Sequence, residues 1–178
     1  QSPEIPGAFV ISDANRGLVS AVKQCFPGSS WQRCKVHFMR NILAHVPQKQ
    51  KKSFASELKS IWLAPDDKVA RERANALIKK YESRFPQAIR CLEEGLEDSL
   101  IFSSYPELDQ RKISSSNMIE RLNREIRRRT GVVGIFPNES SYVRLVTAYL
   151  MEYSEDWSTS RAYIKEESIS RLLPEEAA

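Results

Sequence analysis

Only two short segments of this chain have the composition of β-strands, and both lie near its start. Residues 8–12 form an apolar run that predicts a buried strand, and residues 30–34 predict a second one with Trp31 as an anchor. From residue 36 onward the apolar residues recur at helical spacing. Two strands are too few for a self-contained sheet. We therefore expect a mostly helical α/β chain that is a fragment of a longer protein, whose other strands precede Gln1.

Prolines and glycines divide the rest of the chain into helical segments. Breaks fall at residues 27–28, 47, 64–65 and 85–86, with a loop at 99–113 and a turn at 131–137. The spacing predicts helices over residues 16–26, 36–46, 49–63, 66–84, 86–98, 115–129, 139–155 and 158–170.

The composition is that of a globular protein. Hydrophobic residues make up 41% of the 178 and charged residues 28%, which disfavours disorder. No apolar run approaches the ~18 residues that span a bilayer, so we expect a soluble intracellular protein with no membrane partner. Three cysteines are an odd number, which favours reduced thiols over a disulfide framework.

Charge is unevenly distributed along the chain, although the net charge is only +4. Residues 31–52 carry lysines and arginines, including Arg33, Lys35 and Arg40, and no acid. Residues 93–109 carry acids and no base. Such a bipolar pattern indicates one face for a polyanion, but a solvated mosaic of charges fits the composition equally well.

Asp13 lies where the first predicted strand gives way to a helix. Ligands of open α/β sheets bind at the carboxyl ends of strands, so an acid there is a candidate ligand for a divalent cation. The alternative is a helix N-cap, a role that suits Ser12, Asp13 and Asn15. Without other information, capping is the more frequent role.

Glu120 is an acid among many bases on a predicted amphipathic helix. Asn117, Asn123, Arg124 and Arg127 share its face by helical spacing. An Asn-x-x-Glu capping box from Asn117, or an ion pair with Arg124, would also explain this acid. Neither explains the arginine density, which suits bidentate phosphate contacts. The arginines are Arg121, Arg124, Arg127, Arg128 and Arg129.

Cys34 and His37 form a Cys-x-x-His pair. Zinc sites usually have four ligands, and no second pair follows at the spacing of a zinc finger. A packed cysteine beside a polar histidine is therefore the better interpretation. Trp31, Trp62 and Trp157 are expected to be core or interface anchors.

Four separated motifs in this order resemble those of the Mutator-type bacterial insertion-sequence transposases, with similarity over about residues 8–170. The motifs are residues 10–18 (Val-Ile-Ser-Asp-Ala-Asn-Arg-Gly-Leu), 31–41 around Cys34 and His37, 116–130 around Glu120, and 134–138 (Gly-Ile-Phe-Pro-Asn).

The resemblance implies a partial ribonuclease H-like catalytic core with an all-α insertion between the second and third acids of an Asp-Asp-Glu triad. Asp13 would be the second acid and Glu120 the third, both catalytic and both metal ligands. Residues 1–46 would belong to the core, 47–110 to the insertion, and 111–178 to the closing helices of the core and the tail. Cys34, His37, Asn117 and Asn123 would be signature residues of unknown role.

The resemblance also implies a chemistry and a set of partners. Three acids would hold two Mg²⁺ or Mn²⁺ ions for in-line attack on a phosphodiester, giving DNA cleavage and strand transfer at transposon ends. The partners would be DNA and further copies of the protein, in the bacterial cytoplasm at the nucleoid. DNA contacts are expected from Arg33, Lys35, Arg40, Arg121, Arg124, Arg127, Arg128 and Arg129.

The triad's first Asp would precede Gln1, so we expect the isolated chain neither to cleave nor to join DNA. Strand cleavage by the isolated chain with Mg²⁺ would contradict this. One alternative is a DNA-binding relic or regulator of transposition, whose salt-dependent affinity survives removal of Asp13 and Glu120. Another is a helical protein whose arginines contact an acidic partner and which does not bind DNA.

Overall fold

The computed structural model describes residues 9–106 and 108–159, with side chains as far as residue 156. Within this part, two strands and a short α-helix come first and helices follow, in the predicted order. The strands are β1 (Phe9–Ser12) and β2 (Ser30–Arg33). The helices are α1 (Arg16–Cys25), α2 (Lys35–Ala44), α3 (Gln48–Ile61), α4 (Asp67–Tyr81), α5 (Pro86–Leu100), α6 (Gln110–Ile113), α7 (Asn117–Val133) and α8 (Glu139–Thr159), with a 3-10 helix at Ile101–Ser104.

The two strands pair in parallel, and α1 connects them. The register sets Phe9 opposite Ser30 and Ser12 opposite Arg33, so both strands end at the same edge. Asn15 caps the start of α1. Its Oδ1 accepts hydrogen bonds from the backbone N–H groups of Gly17 and Leu18, at 3.0 and 3.3 Å. The predicted mostly helical α/β class is confirmed.

Gln32 connects the sheet to the helices through a buried side chain. Its Nε2 donates to the carbonyl oxygen of Ser99 at 2.9 Å, and its Oε1 accepts from the N–H of Phe102 at 2.8 Å. The residue is fully buried, so both backbone groups would be unpaired without it. A polar side chain therefore fixes the end of α5 against β2.

The helical tract has a continuous apolar core. Phe54, Tyr81 and Phe85 form an aromatic cluster of α3, α4 and the residue before α5, with ring centroids 4.9–5.6 Å apart. Phe38 of α2 packs edge-on against Trp62 at 5.9 Å, and Trp62 Nε1 donates to Ser99 Oγ at 3.1 Å. Trp62 is thus the core anchor that the sequence predicted, whereas the side chain of Trp157 lies outside the described residues.

The chain divides into two compact units, with the boundary between Ser116 and Asn117. The described part of the first unit contains both strands and α1 to α6, and that of the second contains α7 and α8. Residues 1–46 and 47–110 fall in the same unit, because α5 packs on both α2 and β2. The assignment of 47–110 as an insertion stays a prediction.

Most helix boundaries differ from the predicted ones by one to three residues, and the differences are largest at three places. The expected loop at 99–113 contains the end of α5, the 3-10 helix and α6, which Asp109 caps by accepting from the N–H of Arg111. The helix α7 continues through Gly131 to Val133, and the next residue, Gly134, has a φ of 76° that is easily reached only by glycine. A predicted break near residue 156 is wrong, because α8 is continuous to Thr159; residues 160–170 of the last predicted helix lie outside the described part.

Within the described ranges, no helix is both long and apolar enough to cross a lipid bilayer.

Candidate functional site

Asp13 directly follows β1 and is exposed to solvent. Its Oδ1 accepts one hydrogen bond, from the N–H of Asn15 at 3.2 Å. Because Asn15 caps α1, the alternative that Asp13 is the N-cap is wrong. The carboxylate is therefore not engaged in capping, and it stands at the edge where both parallel strands end.

A small hydrogen-bond network holds the backbone beside Asp13. Ser12 Oγ donates to the carbonyl oxygen of Asp13 at 2.8 Å and accepts from Trp31 Nε1 at 2.8 Å. The N–H of Cys34 donates to the carbonyl oxygen of Ser12 at 2.7 Å. The ends of β1 and β2 are thus fixed to each other by side chains as well as by the sheet.

Cys34 is fully buried, which confirms the interpretation as a packed cysteine. Its Sγ accepts from the N–H and the hydroxyl of Ser116, both at 3.4 Å. The N–H of Lys35 donates to the carbonyl oxygen of Ser114 at 3.0 Å. Cys34 therefore attaches the segment 114–116 to the end of β2. His37 lies half-buried on α2, and its role stays open.

The three predicted DNA-binding cations of the first unit have different surroundings. The guanidinium of Arg33 lies 4.1 Å from the centre of the Phe38 ring and against Gly95, so it packs between α2 and α5 rather than facing solvent freely. Lys35 is half-buried, and desolvation lowers the pKa of its ammonium group. Arg40 is exposed, and of the three it is best placed for a phosphate contact.

Glu120 lies in the first turn of α7, which begins at Asn117. The capping box expected from Asn117 does not form in that register, because Asn117 is already helical and Glu120 is then the fourth helical residue. At 100° per residue, Glu120 lies between Arg124 and Arg127 around the helix. The apolar stripe of α7, with Leu122 and Ile126 half-buried, is on the other side.

The five arginines of α7 fall into two groups. Arg128 donates to Glu125 Oε2 through Nε and Nη2, at 3.0 and 2.9 Å. Arg129 stacks over Tyr149 of α8 at 4.1 Å and lies 3.8 Å from Glu152. The remaining three are exposed and form no ion pair with a described residue, so the alternative of an ion pair between Glu120 and Arg124 is not supported; they are Arg121, Arg124 and Arg127.

We call Arg121, Arg124 and Arg127 the cationic face of α7. Sequence reasoning grouped all five arginines, and it did not identify Arg129 as a contact between α7 and α8. The sequence signal for that contact is the pair Tyr149 and Glu152, which lie three residues apart on α8. Asn117 and Asn123 are exposed on the same side as the cationic face.

Among residues 9–106 and 108–159, no group of three or more histidines, cysteines, aspartates and glutamates is close enough to hold a metal ion. Asp13 belongs to the first compact unit and Glu120 to the second. Their association at one metal centre stays a prediction.

Comparison with known proteins agrees with this arrangement of motifs. The model of the family described as "Transposase, Mutator family" matches residues 7–160. The chain therefore belongs to the Mutator family of transposases.

Several curated relatives are transposases of bacterial insertion sequences. The chain is 44% identical over 159 residues to the transposase for insertion sequence element IS256 in transposon Tn4001 of Staphylococcus aureus. It is 41% identical over 156 residues to that for ISRM5 of Rhizobium meliloti, and 37% identical over 164 residues to that for IS1081 of Mycobacterium tuberculosis. These alignments cover 88%, 88% and 92% of this chain but only 40%, 39% and 40% of the relatives.

Proposed function

We propose that this chain supplies part of the catalytic region of a DNA transposase. In this proposal, Asp13 and Glu120 are acids of an Asp-Asp-Glu centre on a ribonuclease H-like core, and the cationic face of α7 contacts DNA phosphates. The observation that carries the proposal is the set of three exposed arginines around Glu120, without ion pairs to described residues.

The donor set at Asp13 and Glu120 fits a hard divalent cation. Asp13 is exposed and its Oδ1 accepts only a single long hydrogen bond from a described residue, so carboxylate oxygens remain available for Mg²⁺ or Mn²⁺. Cys34 does not fit such a site, because its sulfur is buried and accepts from Ser116. When bound between such acids, the metal ions would polarise the phosphodiester and lower the pKa of an attacking water or hydroxyl.

The cationic face of α7 suits a nucleic-acid backbone better than an acidic protein. Guanidinium groups bind phosphate oxygens in a bidentate manner, and three on successive turns match a linear array of charges. Arg40 on α2 is a further exposed cation for the same polyanion. Replacing bound counterions by these arginines makes the affinity steeply dependent on salt.

The DNA contact is tested by titrating the 178-residue chain onto labelled duplex DNA at several salt concentrations. The triple variant R121Q/R124Q/R127Q should bind more weakly. Its slope of log affinity against log salt should be shallower by about 2.7, which is about 0.9 for each lost phosphate contact.

A matched control removes the same charge from cations that already have acidic partners. Arg71 pairs with Asp67 and Glu97, Lys80 with Glu57, and Arg111 with Asp109. The variant R71Q/K80Q/R111Q should therefore change the slope much less. Equal slopes for the two triple variants would contradict the assignment of the cationic face.

The metal site is tested by Mn²⁺ titration of the same chain, followed by the relaxation rate of water protons. D13N and E120Q should each weaken Mn²⁺ binding by about tenfold or more, whereas E82Q, which removes an exposed acid at the end of α4, should not. Mn²⁺ binding that survives both D13N and E120Q would refute the assignment of these ligands.

A regulator that binds DNA without catalysis remains the alternative. For that protein, D13A and E120A would leave DNA affinity unchanged, and neither would affect Mn²⁺ binding. For the proposed function, the same variants lose Mn²⁺ while the salt-dependent DNA contact of the arginines persists.

A further inference from the structure

The last turn of α7 and the turn after it present two apolar side chains that are almost fully exposed. Val132 is 84% exposed and Ile135 is 90% exposed. We call these two residues the apolar tip. Branched aliphatic side chains are usually among the most buried, so two of them this exposed within four residues require a reason.

Val132 lies on the arginine side of α7, not on its apolar stripe. It is four residues after Arg128 and eleven after Arg121, so at 100° per residue it points within about 40° of both. Its neighbour Val133 follows the stripe of Leu122 and Ile126 instead. Val132 thus lies at the Arg121 edge of the cationic face.

The backbone of the turn is held at both ends. The positive φ of Gly134 ends α7, and the N–H of Gly134 donates to the carbonyl oxygen of Thr130 at 3.3 Å. On the other side, Asn138 Oδ1 accepts from the N–H of Ser141 at 2.9 Å and caps α8. Between them, Phe136 packs edge-on against Tyr142 at 5.3 Å. Ile135 therefore projects from a defined turn, while the aromatic residue next to it is packed.

We infer that the apolar tip inserts between base pairs of the DNA whose phosphates the cationic face binds. Apolar wedges such as isoleucine partly unstack a base step and kink the duplex by about 20–90°. Arginines beside the wedge would bind the phosphates on either side of the opened step, and this charge complementarity favours DNA as the occupant. This inference rests on the proposed DNA binding and extends it from the backbone to the base stack.

The charge beside the tip argues against a protein partner. A stable protein–protein interface is depleted of charge at its centre, whereas arginines 127–129 lie just before this tip. A wedge needs only one or two side chains, because its contact area is the base step.

The test uses the 178-residue chain and a duplex of about 30 base pairs with a central TA step, which is easily kinked. A 2-aminopurine beside the step reports unstacking, and dyes at the two ends report bending. Wild type should raise the 2-aminopurine fluorescence and shorten the end-to-end distance. V132A/I135A should lose both signals while its affinity stays within about tenfold of wild type, because the arginines remain.

Two further variants keep the test specific. I135M retains an apolar wedge and should preserve both signals. L63A removes an apolar side chain that is 60% exposed in the first unit, and it should behave as wild type. Circular dichroism of each variant confirms that it is folded.

Wild-type signals from V132A/I135A would overturn the inference, as would DNA binding by wild type without unstacking. A change from dimer to monomer on V132A/I135A substitution, with the DNA signals intact, would assign the tip to a second copy of the chain and also overturn it. Absence of any DNA binding by wild type would instead refute the proposed function itself.

Discussion

Gly95 lies inside α5, where alanine is intrinsically the better helix former by about 1 kcal/mol. A Cβ at this position, however, would lie 2.7 Å from Phe38 Cε2 and 2.8 Å from Arg33 Cζ, and would also contact Arg33 Nη1. Favourable carbon contacts are about 3.5–4.0 Å, so α5 or its neighbours would have to move. The substitution G95A therefore has two opposite effects on stability: a gain in helix propensity and a steric cost.

The steric cost should be the larger of the two effects. Phe38 is fully buried, and the Arg33 guanidinium is held 4.1 Å above its ring. Overpacking of a core costs about 1–3 kcal/mol, and displacing Arg33 costs a further ~0.5–1 kcal/mol of cation–π attraction. After subtraction of the propensity gain, G95A should lower the free energy of unfolding by about 0.5–3 kcal/mol.

Urea unfolding followed by tryptophan fluorescence measures this effect, because Trp31 and Trp62 both belong to the first unit. The matched control is G131A in α7, where no described atom lies within 4 Å of the added Cβ. Circular dichroism should show G131A to be more stable than wild type by about 0.5–1 kcal/mol. A G95A variant as stable as wild type would refute the close approach of α5 to Phe38.

Three further predictions concern buried or paired side chains. Q32L should lower the free energy of unfolding by about 1–3 kcal/mol in urea titrations, because it leaves the N–H of Phe102 unpaired; an unchanged midpoint would contradict this. C34A should cost about 1–2 kcal/mol in the same assay, since the sulfur is fully buried, whereas the exposed C25A should cost nothing measurable. A hydrogen bond from Lys80 lowers the pKa of Glu57 below 4.5, so its stabilisation is present above that pH and is lost as the pH falls through the folded-state pKa. The melting temperature of E57Q should therefore lie below that of wild type at neutral pH and approach it in acid.

The sequence predicts the order of elements because that order depends on local patterns. The apolar run before Asp13, the prolines between helices and the 3.6-residue periodicity all act within one element. The helix boundaries were less predictable, because a local pattern does not fix the residue at which a helix ends. Gly131 has the composition of a helix end, but it is helical, and the chain reverses only at Gly134, where φ is positive.

The connections between elements depend on contacts that no local pattern reports. Gln32 is a polar residue in a short strand, and only the fold shows that it pairs with backbone groups 67 and 70 residues away. In the same way, Cys34 was expected to pack, but its acceptance of hydrogen bonds from Ser116, 82 residues later, needs the tertiary structure. For Asp13, by contrast, a local contact decides between the alternatives: Asn15, two residues later, caps α1, so Asp13 is not the N-cap.

The arginines of α7 show that the number of arginines in a segment is weaker evidence for DNA binding than whether neighbouring side chains already hold them. Five arginines in nine residues suggested one phosphate-binding surface, yet Arg128 is paired with Glu125 and Arg129 packs on Tyr149. An arginine held by an acid or an aromatic ring must lose that contact before it binds phosphate, which reduces its net contribution. The exposed set that remains is spaced at three residues, so it turns gradually around the helix. A helix with that pattern can follow a phosphate backbone and end on a base step, and neither property follows from the number of its charges.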